Sequence, residues 1–405
     1  MPRSGGAVIP MQLNFSELQY IVGSAETAAG MKELRPLRPF DDNVIGFLND
    51  LSSVLRTNRS FPDVATFGFW CRKAALLQEK AKYDDISGRF GKGTVFHSTP
   101  SNVPGNFAFS FASGILAGNA NIVRLPGKSF EQVDIICGAV KQLLSDKHKA
   151  LSPYICFVKY PTKKEITDAF SALCNVRVIW GGDATIAEIR KSPLPPRSNE
   201  ITFADRHSAA VINADSYLAA DNKDAIIQNF YNDTYYTDQN ACTSPRIIFW
   251  LGKEKETAKE DFWRRVHAAV KEKYHLEPVQ TVGKLQALCR VSAVKPMKLI
   301  RNDDMFVTRL NVEQLGSDLM DFKYNSGFFF EKDIDDLSEM LPVCGERCQT
   351  ISYFGIEQEE FSRFLEGSAP HGIDRIVPIG KTMDFSLIWD GFDLIRQMSR
   401  RISII

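Results

Sequence analysis

Residues 91–125 read GKGTVFHSTPSNVPGNFAFSFASGILAGNANIVRL, and this stretch decides the fold class. A β-rich segment flanked by glycines ends in a proline-containing loop at 98–104. An apolar segment typical of a buried helix follows over 107–117, and Gly118 ends it before the apolar strand at 122–125. A strand, a helix and a second strand of these lengths predict two parallel strands joined by a crossover helix.

The same alternation continues along the chain and predicts an α/β fold with two or three lobes. Helical patterns near 129–145 and 163–174 separate apolar strands at 155–158 and 176–180. This order favours a parallel sheet with helices on both faces. The residues before the sheet, about 40–85, are predicted to be helical. Further strands are predicted at 209–212, 246–250, 327–330 and 349–354.

The overall composition is that of an ordinary globular protein. The chain has 405 residues, and its 49 basic and 49 acidic side chains give a formal net charge of zero. No global field therefore favours nucleic acid or an anionic membrane. Neither a signal-peptide pattern nor a membrane-spanning apolar run is found, which predicts a cytoplasmic protein. Most of the eight cysteines lie in apolar runs, and Cys344 and Cys348 lack the further ligands of a zinc site, so we predict no metal and no disulfide framework.

Cys242 differs from the other cysteines in its sequence context. It lies in the stretch QNACTSPR at 239–246, where polar residues surround it and a strand follows. A cysteine nucleophile needs partial exposure and nearby donors to hold a thiolate, and such a loop provides both. The proline-flanked loop that contains Ser101 and Asn102 is a second candidate, because a side-chain amide on a rigid loop can donate to a developing oxyanion. An asparagine bonded to its own backbone is the alternative interpretation of Asn102.

Two turns have features of an anion-binding site. A strand ends in a glycine-containing turn with Arg124 and Lys128, whose cationic groups fit a phosphate. Gly181, Gly182 and Asp183 follow another strand at the start of a helix, where backbone amides favour an anion. From the local sequence alone, each of the two segments is explained equally well as a solvated surface turn. Neither a G-x-G-x-x-G fingerprint nor a Walker loop is present, so any dinucleotide would bind in another way.

Taken in chain order, these pieces resemble the aldehyde dehydrogenase superfamily and, within it, the LuxC-like acyl-CoA reductase family. In the superfamily, an asparagine loop supplies an oxyanion donor, a basic turn meets the adenosine ribose, a glycine-containing helix start contacts the cofactor phosphates, and a cysteine loop supplies the nucleophile. The matching residues are Asn102, Arg124, Gly181-Gly182 and Cys242, in that order. The segments that resemble the acyl-CoA reductases are FHSTPSNVP at 96–104, IWGGD at 179–183, ITFADR at 201–206, NACTSP at 240–245 and IWDG at 388–391.

The resemblance implies an aldehyde-dehydrogenase-like α/β fold in four parts. These are a mostly helical N-terminal region (1–90), a Rossmann-type NADP-binding domain (91–205), a catalytic domain (206–355) and a C-terminal segment at the core or an oligomer interface (356–405). The implied reaction is the NADPH-dependent reduction of a fatty acyl thioester to an aldehyde, with the acyl group carried on Cys242 and the oxyanion held by Asn102. An acyl-protein synthetase partner and a homodimer or homotetramer are also implied. The implied cofactor-binding residues are Ser101, Arg124, Lys128, Gly181, Gly182 and Asp183.

The chain departs from the hydrolytic aldehyde dehydrogenases at one position. Thr202 stands by alignment where those enzymes carry the glutamate that activates water, although a shift of two residues would place Glu200 there. Loss of this base favours reduction of the thioester over its hydrolysis. The alternatives are a hydrolytic aldehyde dehydrogenase, an acyl-phosphate reductase and a catalytically degenerate scaffold in a multienzyme complex. The roles of His97, His207 and Asp390 stay open, although a structural role is favoured for both histidines.

Overall fold

The secondary structure was obtained from a computed structural model, which describes residues 13–100, 103–300 and 304–405. The strands are β1 (Gln19–Val22), β2 (Arg89–Gly91), β3 (Thr94–Ser98), β4 (Ala120–Arg124), β5 (Ile155–Lys159), β6 (Val176–Trp180), β7 (Asn199–Phe203), β8 (His207–Asn213), β9 (Pro245–Leu251), β10 (Met297–Ile300), β11 (Thr308–Val312), β12 (Phe328–Asp333), β13 (Cys348–Phe354), β14 (Arg375–Pro378), β15 (Ile388–Trp389), β16 (Phe392–Asp393) and β17 (Ser399–Arg401).

The helices alternate with these strands, as the sequence pattern predicted. Within the described residues, none of them combines the length and the apolar character that crossing a membrane requires. They are α1 (Ala25–Gly30), α2 (Asp42–Leu55), α3 (Pro62–Trp70), α4 (Lys73–Ala81), α5 (Asn106–Leu116), α6 (Glu131–Ser145), α7 (Lys164–Leu173), α8 (Asp183–Arg190), α9 (Ala214–Ala219), α10 (Lys223–Asp233), α11 (Lys255–Lys273), α12 (Pro278–Ser292), α13 (Gln358–Ser368) and α14 (Leu394–Met398).

The chain forms two compact units. The first contains the described residues up to Ala204 together with Leu387–Ile405, and the second contains Asp205–Ser386. The first is built on a six-stranded sheet in the order β1-β5-β4-β3-β6-β7, in which β1 runs antiparallel to β5 and the other neighbouring strands are parallel. The chain winds outward from β3 through β4 to β5 and then returns to β6, so the winding direction reverses between β3 and β6. Open α/β sheets bind ligands at the carboxyl ends of strands at such a reversal.

Burial explains the composition of the central strands of the first sheet. All residues of β3 and β6 are buried, which accounts for their lack of alternation between polar and apolar residues. Helix α5 joins β3 to β4 and is buried along most of its length, so it too is apolar nearly all round. Because β4 and β6 both run parallel to β3, the turns that follow β4 and β6 lie at the same edge of this sheet.

The second unit is built on a seven-stranded sheet in the order β10-β11-β12-β9-β8-β13-β14. Apart from β10, which runs antiparallel to β11, its neighbouring strands are parallel. Every residue of β9 is buried between two apolar clusters, one on each face of the sheet. The segment that contains Cys242 therefore approaches a rigid central strand at the amino-terminal edge of the sheet.

The two units differ from the predicted domain boundaries at both ends of the chain. The described part of 1–90 is not separate, because β1 pairs with β5 and α2 packs against α5 and α6. The segment 356–405 is divided between the units: β14 pairs with β13 in the second, whereas β17 pairs with β2 and α14 packs on α5 in the first. At both ends of the chain, the pairing of distant strands determines which unit a segment belongs to. The sequence pattern of a short strand does not show which strand it pairs with.

Candidate active site

Cys242 lies in the turn that leads into β9. The Ser244 amide closes this turn by donating to the Ala241 carbonyl at 3.1 Å. From β8, the Ser208 hydroxyl donates to the Cys242 carbonyl at 2.7 Å. Thr243 and Ser244 are buried, whereas Cys242 is partly exposed. The backbone is thus held firmly at a position where the thiol reaches the surface, which is what a cysteine nucleophile requires.

Gln239 attaches this turn to the start of β12. Its Oε1 accepts hydrogen bonds from the amides of Gly327 and Phe328 at 2.7 and 3.1 Å, and its Nε2 donates to the Pro245 carbonyl at 3.1 Å. The side chain is fully buried, and the backbone has a φ of 52°. Because the left-handed region costs a non-glycine residue about 1 kcal/mol, the three side-chain bonds are needed to stabilise this conformation.

Arg246, in β9, holds the same segment through its guanidinium. Its Nη1 donates to the Tyr324 carbonyl and to Asn325 Oδ1, both at 2.7 Å, and its Nη2 donates to the Gln239 carbonyl. Burial lowers the pKa of Arg246 to about 10, while the negative charge of a Cys242 thiolate acts in the opposite direction. The second unit therefore places a buried cation within electrostatic reach of the candidate nucleophile. Sequence analysis did not single out Arg246, because only the folded loop brings its charge close to the thiol.

The remaining cysteines differ from Cys242 in their exposure. Only Cys289, on α12, is also accessible, and it lies on the exposed side of that helix. For four of the buried thiols, burial raises the pKa, which makes them poor nucleophiles at neutral pH. In the described parts of the chain, no three His, Cys, Asp or Glu side chains are grouped to hold a metal ion. The four thiols whose pKa is raised mainly by burial are Cys71, Cys137, Cys156 and Cys174, and the pKa of the buried Cys348 is raised by a hydrogen bond with Cys344 and by burial.

The turn after β4 lies beside a cationic cavity in the first unit. The Arg124 guanidinium lies 4.5 Å from the centre of the Tyr160 ring and donates to the Tyr160 carbonyl at 3.4 Å. Lys128, Ser129 and Lys159 line a cavity of about 210 Å³. Asp134 also lines this cavity, but the two ammonium groups outnumber its carboxylate, and together with the hydroxyl they suit an anion such as a phosphate. Sequence analysis missed Lys159, because it becomes a neighbour of the turn only through the parallel pairing of β4 with β5.

The turn after β6 contains the other predicted cofactor-binding residues. The Gly181 amide donates to the Phe203 carbonyl at 3.1 Å, so this N–H is used inside the sheet. Gly182 precedes α8, and Asp183 lies in its first turn. Asp183 and Thr202 line a second cavity, of about 340 Å³. Arg190 lines the same cavity, so one carboxylate and one guanidinium face it together with the hydroxyl of Thr202.

Glu200 is fully engaged by two arginines. Its Oε2 accepts from Arg177 at 2.8 and 2.5 Å, and its Oε1 accepts from Arg190 at 2.7 Å. The Arg177 side chain is only 3% exposed, so this carboxylate balances a buried charge. Both oxygens accept hydrogen bonds from arginines, which fix the position of the Glu200 carboxylate. Thr202, on the neighbouring cavity wall, has no basic group.

The two histidines considered as general acids or bases are buried. The His97 ring hydrogen-bonds to Ser110 Oγ at 2.7 Å and to Asn121 Oδ1 at 3.0 Å, and burial lowers its pKa to about 4. His207 Nε2 donates to the Val343 carbonyl at 2.9 Å. These contacts give both residues structural roles inside their units.

Three further residues were considered in the sequence analysis: Ser101, Asn102 and Asp390. Ser101 and Asn102 lie outside the described residues, and their roles remain predictions. Asp390 is buried, with a φ of 50°. The described candidates are distributed over the two units, with the cationic and glycine turns in the first and Cys242 in the second.

Comparison with solved structures defines the class of fold. Lactaldehyde dehydrogenase from Escherichia coli superposes with a TM-score of 0.61 at 13% sequence identity, over 93% of this chain and 90% of that chain. The fold is thus that of the aldehyde dehydrogenases, as predicted from the sequence. At this identity the likeness concerns the fold alone.

Sequence comparison narrows the class to a family. The model of the acyl-CoA reductase (LuxC) family matches residues 73–316, and the chain belongs to that family. The chain is 23% identical over 300 residues to the long-chain acyl-protein thioester reductase of Vibrio harveyi, a match that covers 72% of this chain and 59% of the relative. It is also 23% identical over 329 residues to the protein of the same name from Photorhabdus laumondii, over 78% of this chain and 64% of the relative. The match thus spans less than two thirds of either relative.

Proposed function

We propose that this protein reduces a long-chain acyl thioester to an aldehyde, with Cys242 carrying the acyl group and NADPH as the reductant. The observation that carries the proposal is the partly exposed Cys242 on its braced turn, in a chain of the acyl-CoA reductase family. The relatives from Vibrio harveyi and Photorhabdus laumondii are named as long-chain acyl-protein thioester reductases, which supports this substrate class.

The first half of the proposed reaction is a transfer of the acyl group. The Cys242 thiolate attacks the carbonyl carbon of the thioester, and a tetrahedral oxyanion forms. Collapse breaks the bond to the donor sulfur, which leaves as a thiol after taking up a proton. The backbone N–H of Cys242 and the side-chain amide of Asn102 are the proposed oxyanion donors.

The second half regenerates the cysteine. When bound, NADPH supplies a hydride to the carbonyl carbon of the acyl group on Cys242. The resulting hemithioacetal breaks its carbon–sulfur bond, which releases the aldehyde and restores the thiolate. Overall, one thioester, one NADPH and one proton yield one aldehyde, one thiol and one NADP⁺.

The cofactor assignment rests on the cavity after β4. Lys128 and Lys159 surround a space that fits a phosphate, and NADPH differs from NADH by one phosphate on the adenosine ribose. Arg124 lies at the end of β4 beside the same turn. We propose that Lys128 and Lys159 hold the additional phosphate and that Arg124 orders the turn through Tyr160.

The engagement of Glu200 supports reduction over hydrolysis. A hydrolytic aldehyde dehydrogenase needs a base that activates water, and here both oxygens of Glu200 accept from arginines. We propose that the arginines restrain Glu200 and that the thioester therefore persists until the hydride arrives. We further propose that the thioester donor is coenzyme A or a protein and that an acyl-protein synthetase is the partner. A cytoplasmic location and a homo-oligomeric state are also parts of the proposal.

Aldehyde trapping tests the proposal. A long-chain acyl-CoA, or an acyl-protein where one is at hand, is incubated with the protein and NADPH, and the aldehyde is captured as its hydrazone. Cys242→Ala should abolish aldehyde formation. The matched control, Cys289→Ala, removes the other accessible thiol and should leave activity unchanged. Turnover of free aldehyde to acid with NADP⁺, without reduction of any thioester, would show a hydrolytic enzyme instead.

A further inference from the structure

Arg246 is a buried cation whose hydrogen-bond partners are all neutral. Its three contacts are the carbonyls of Gln239 and Tyr324 and the side-chain oxygen of Asn325. The residue is 6% exposed. In the described part of the chain, no carboxylate forms an ion pair with it. Because a buried charge without a counter-ion is strongly unfavourable, the position requires a negative charge close by.

The carboxylates near Arg246 are already engaged by other donors. Asp238 accepts a hydrogen bond from the Tyr274 hydroxyl. Asp205 forms an ion pair with Lys323 at 3.0 Å. Both carboxylates act on Arg246 only through space. The ion pair with Lys323 partly neutralises Asp205, whereas the neutral Tyr274 hydroxyl leaves the charge of Asp238 in place.

The remaining negative group within electrostatic reach is the thiolate of Cys242. The two residues are four positions apart and share the turn that Gln239 ties to β12. The guanidinium holds the Gln239 carbonyl and thereby fixes the turn from inside the unit. An arginine keeps its proton throughout the neutral range, so its charge is constant while a thiol titrates.

The geometry points to Arg246 as a positioning residue that orders the nucleophile turn and, through its charge, stabilises the Cys242 thiolate. This inference rests on the proposed function only in that Cys242 is taken as the nucleophile. The Cys242 thiolate adds its negative charge to those of Asp238 and Asp205, and the three together balance the buried cation of Arg246.

Alkylation kinetics test the charge effect without substrate or cofactor. Full-length protein is treated with iodoacetamide between pH 5 and 10, and peptides are quantified by mass spectrometry. Arg246→Gln removes the charge and is expected to raise the pH midpoint of Cys242 alkylation by about one unit and to slow the reaction at pH 7 about tenfold. Cys289, alkylated in the same tube, is the internal control, and its profile should stay unchanged.

A second variant separates charge from structure. Arg246→Lys retains a positive charge but loses the forked hydrogen bonds, so its melting temperature should fall while the Cys242 midpoint stays near that of the unchanged protein. If Arg246→Gln does not fold, Arg246→Met, which also lacks the charge and keeps an apolar side chain in the buried position, takes its place and should raise the midpoint by the same amount. The inference is overturned if the Cys242 midpoint rises by about one unit in Arg246→Lys as well. It is also overturned if the midpoint does not change in Arg246→Gln. Loss of aldehyde formation in Cys242→Ala is measured separately, so failure of the proposed function is distinguishable.

Discussion

Replacing Gln239 by alanine is expected to release the nucleophile turn from β12. The substitution removes the acceptor of the Gly327 and Phe328 amides and the donor to the Pro245 carbonyl. The backbone of residue 239 then keeps its φ of 52° without the side chain that stabilises it. We expect both lower stability and lower turnover, because the same contacts hold the fold and place Cys242.

The expected loss of stability in Gln239→Ala follows from the burial of these hydrogen-bonding groups. Each of the three bonds contributes about 1 kcal/mol net, and a buried backbone group left without a partner costs at least as much. We therefore expect the free energy of unfolding to fall by about 3 kcal/mol, which corresponds to a decrease of roughly 10 °C in Tm for a unit of this size.

Thermal denaturation followed by circular dichroism measures this change, and kcat for aldehyde formation reports the position of Cys242. Gln286→Ala is the matched control, because Gln286 is an exposed glutamine on α12 and its removal should change stability by less than about 0.5 kcal/mol. The reasoning is refuted if the Gln239→Ala protein melts at the same temperature as the control and has the same kcat.

Further consequences concern pH, the cofactor and the occupied carboxylate. Burial lowers the pKa of His97 to about 4, below its value in the unfolded chain, so its contribution to stability is present above about pH 6.5 and is lost on acidification. Urea denaturation should therefore show that the free energy of unfolding falls by about 2 kcal/mol between pH 7 and 4.5. This decrease should be absent in His97→Gln. Lys128→Ala and Lys159→Ala should each raise KM for NADPH about tenfold and change KM for NADH little, and equal effects on both cofactors would contradict the phosphate assignment. Glu200→Gln should reduce the free energy of unfolding by about 3 kcal/mol, because Arg177 loses its counter-ion. The ratio of aldehyde to acid in the products should stay the same. A changed ratio would identify Glu200 as a base.

Much of the fold could be predicted because buried parallel strands have a clear pattern. The β-branched and aromatic residues of β3 and β6 and the glycine that follows α5 indicate a parallel α/β sheet in the sequence itself. The division of the chain into units could not be predicted in this way. The short strand β17 pairs with β2 about 300 residues away, and only the folded structure shows that partner.

The sequence names a candidate nucleophile, which stays a prediction, but it does not show which groups surround that residue. Polar neighbours and the following strand distinguished Cys242 from cysteines in apolar runs. The sequence does not show that Arg246 donates to the carbonyl of Gln239, or that Lys159 joins Lys128 in one cavity. Both relationships depend on loop geometry and strand register rather than on local residue type.

The covalent intermediate is the most direct test of the account. The protein is mixed with a long-chain acyl-CoA in the absence of reductant, digested and mapped by mass spectrometry, and the acylated sample is then treated with NADPH. We predict an acyl group on the peptide that contains Cys242, absent in Cys242→Ala, which leaves as aldehyde in a single turnover. An acyl group on another residue, or its release from Cys242 as free acid when NADPH is added, would contradict the central claim.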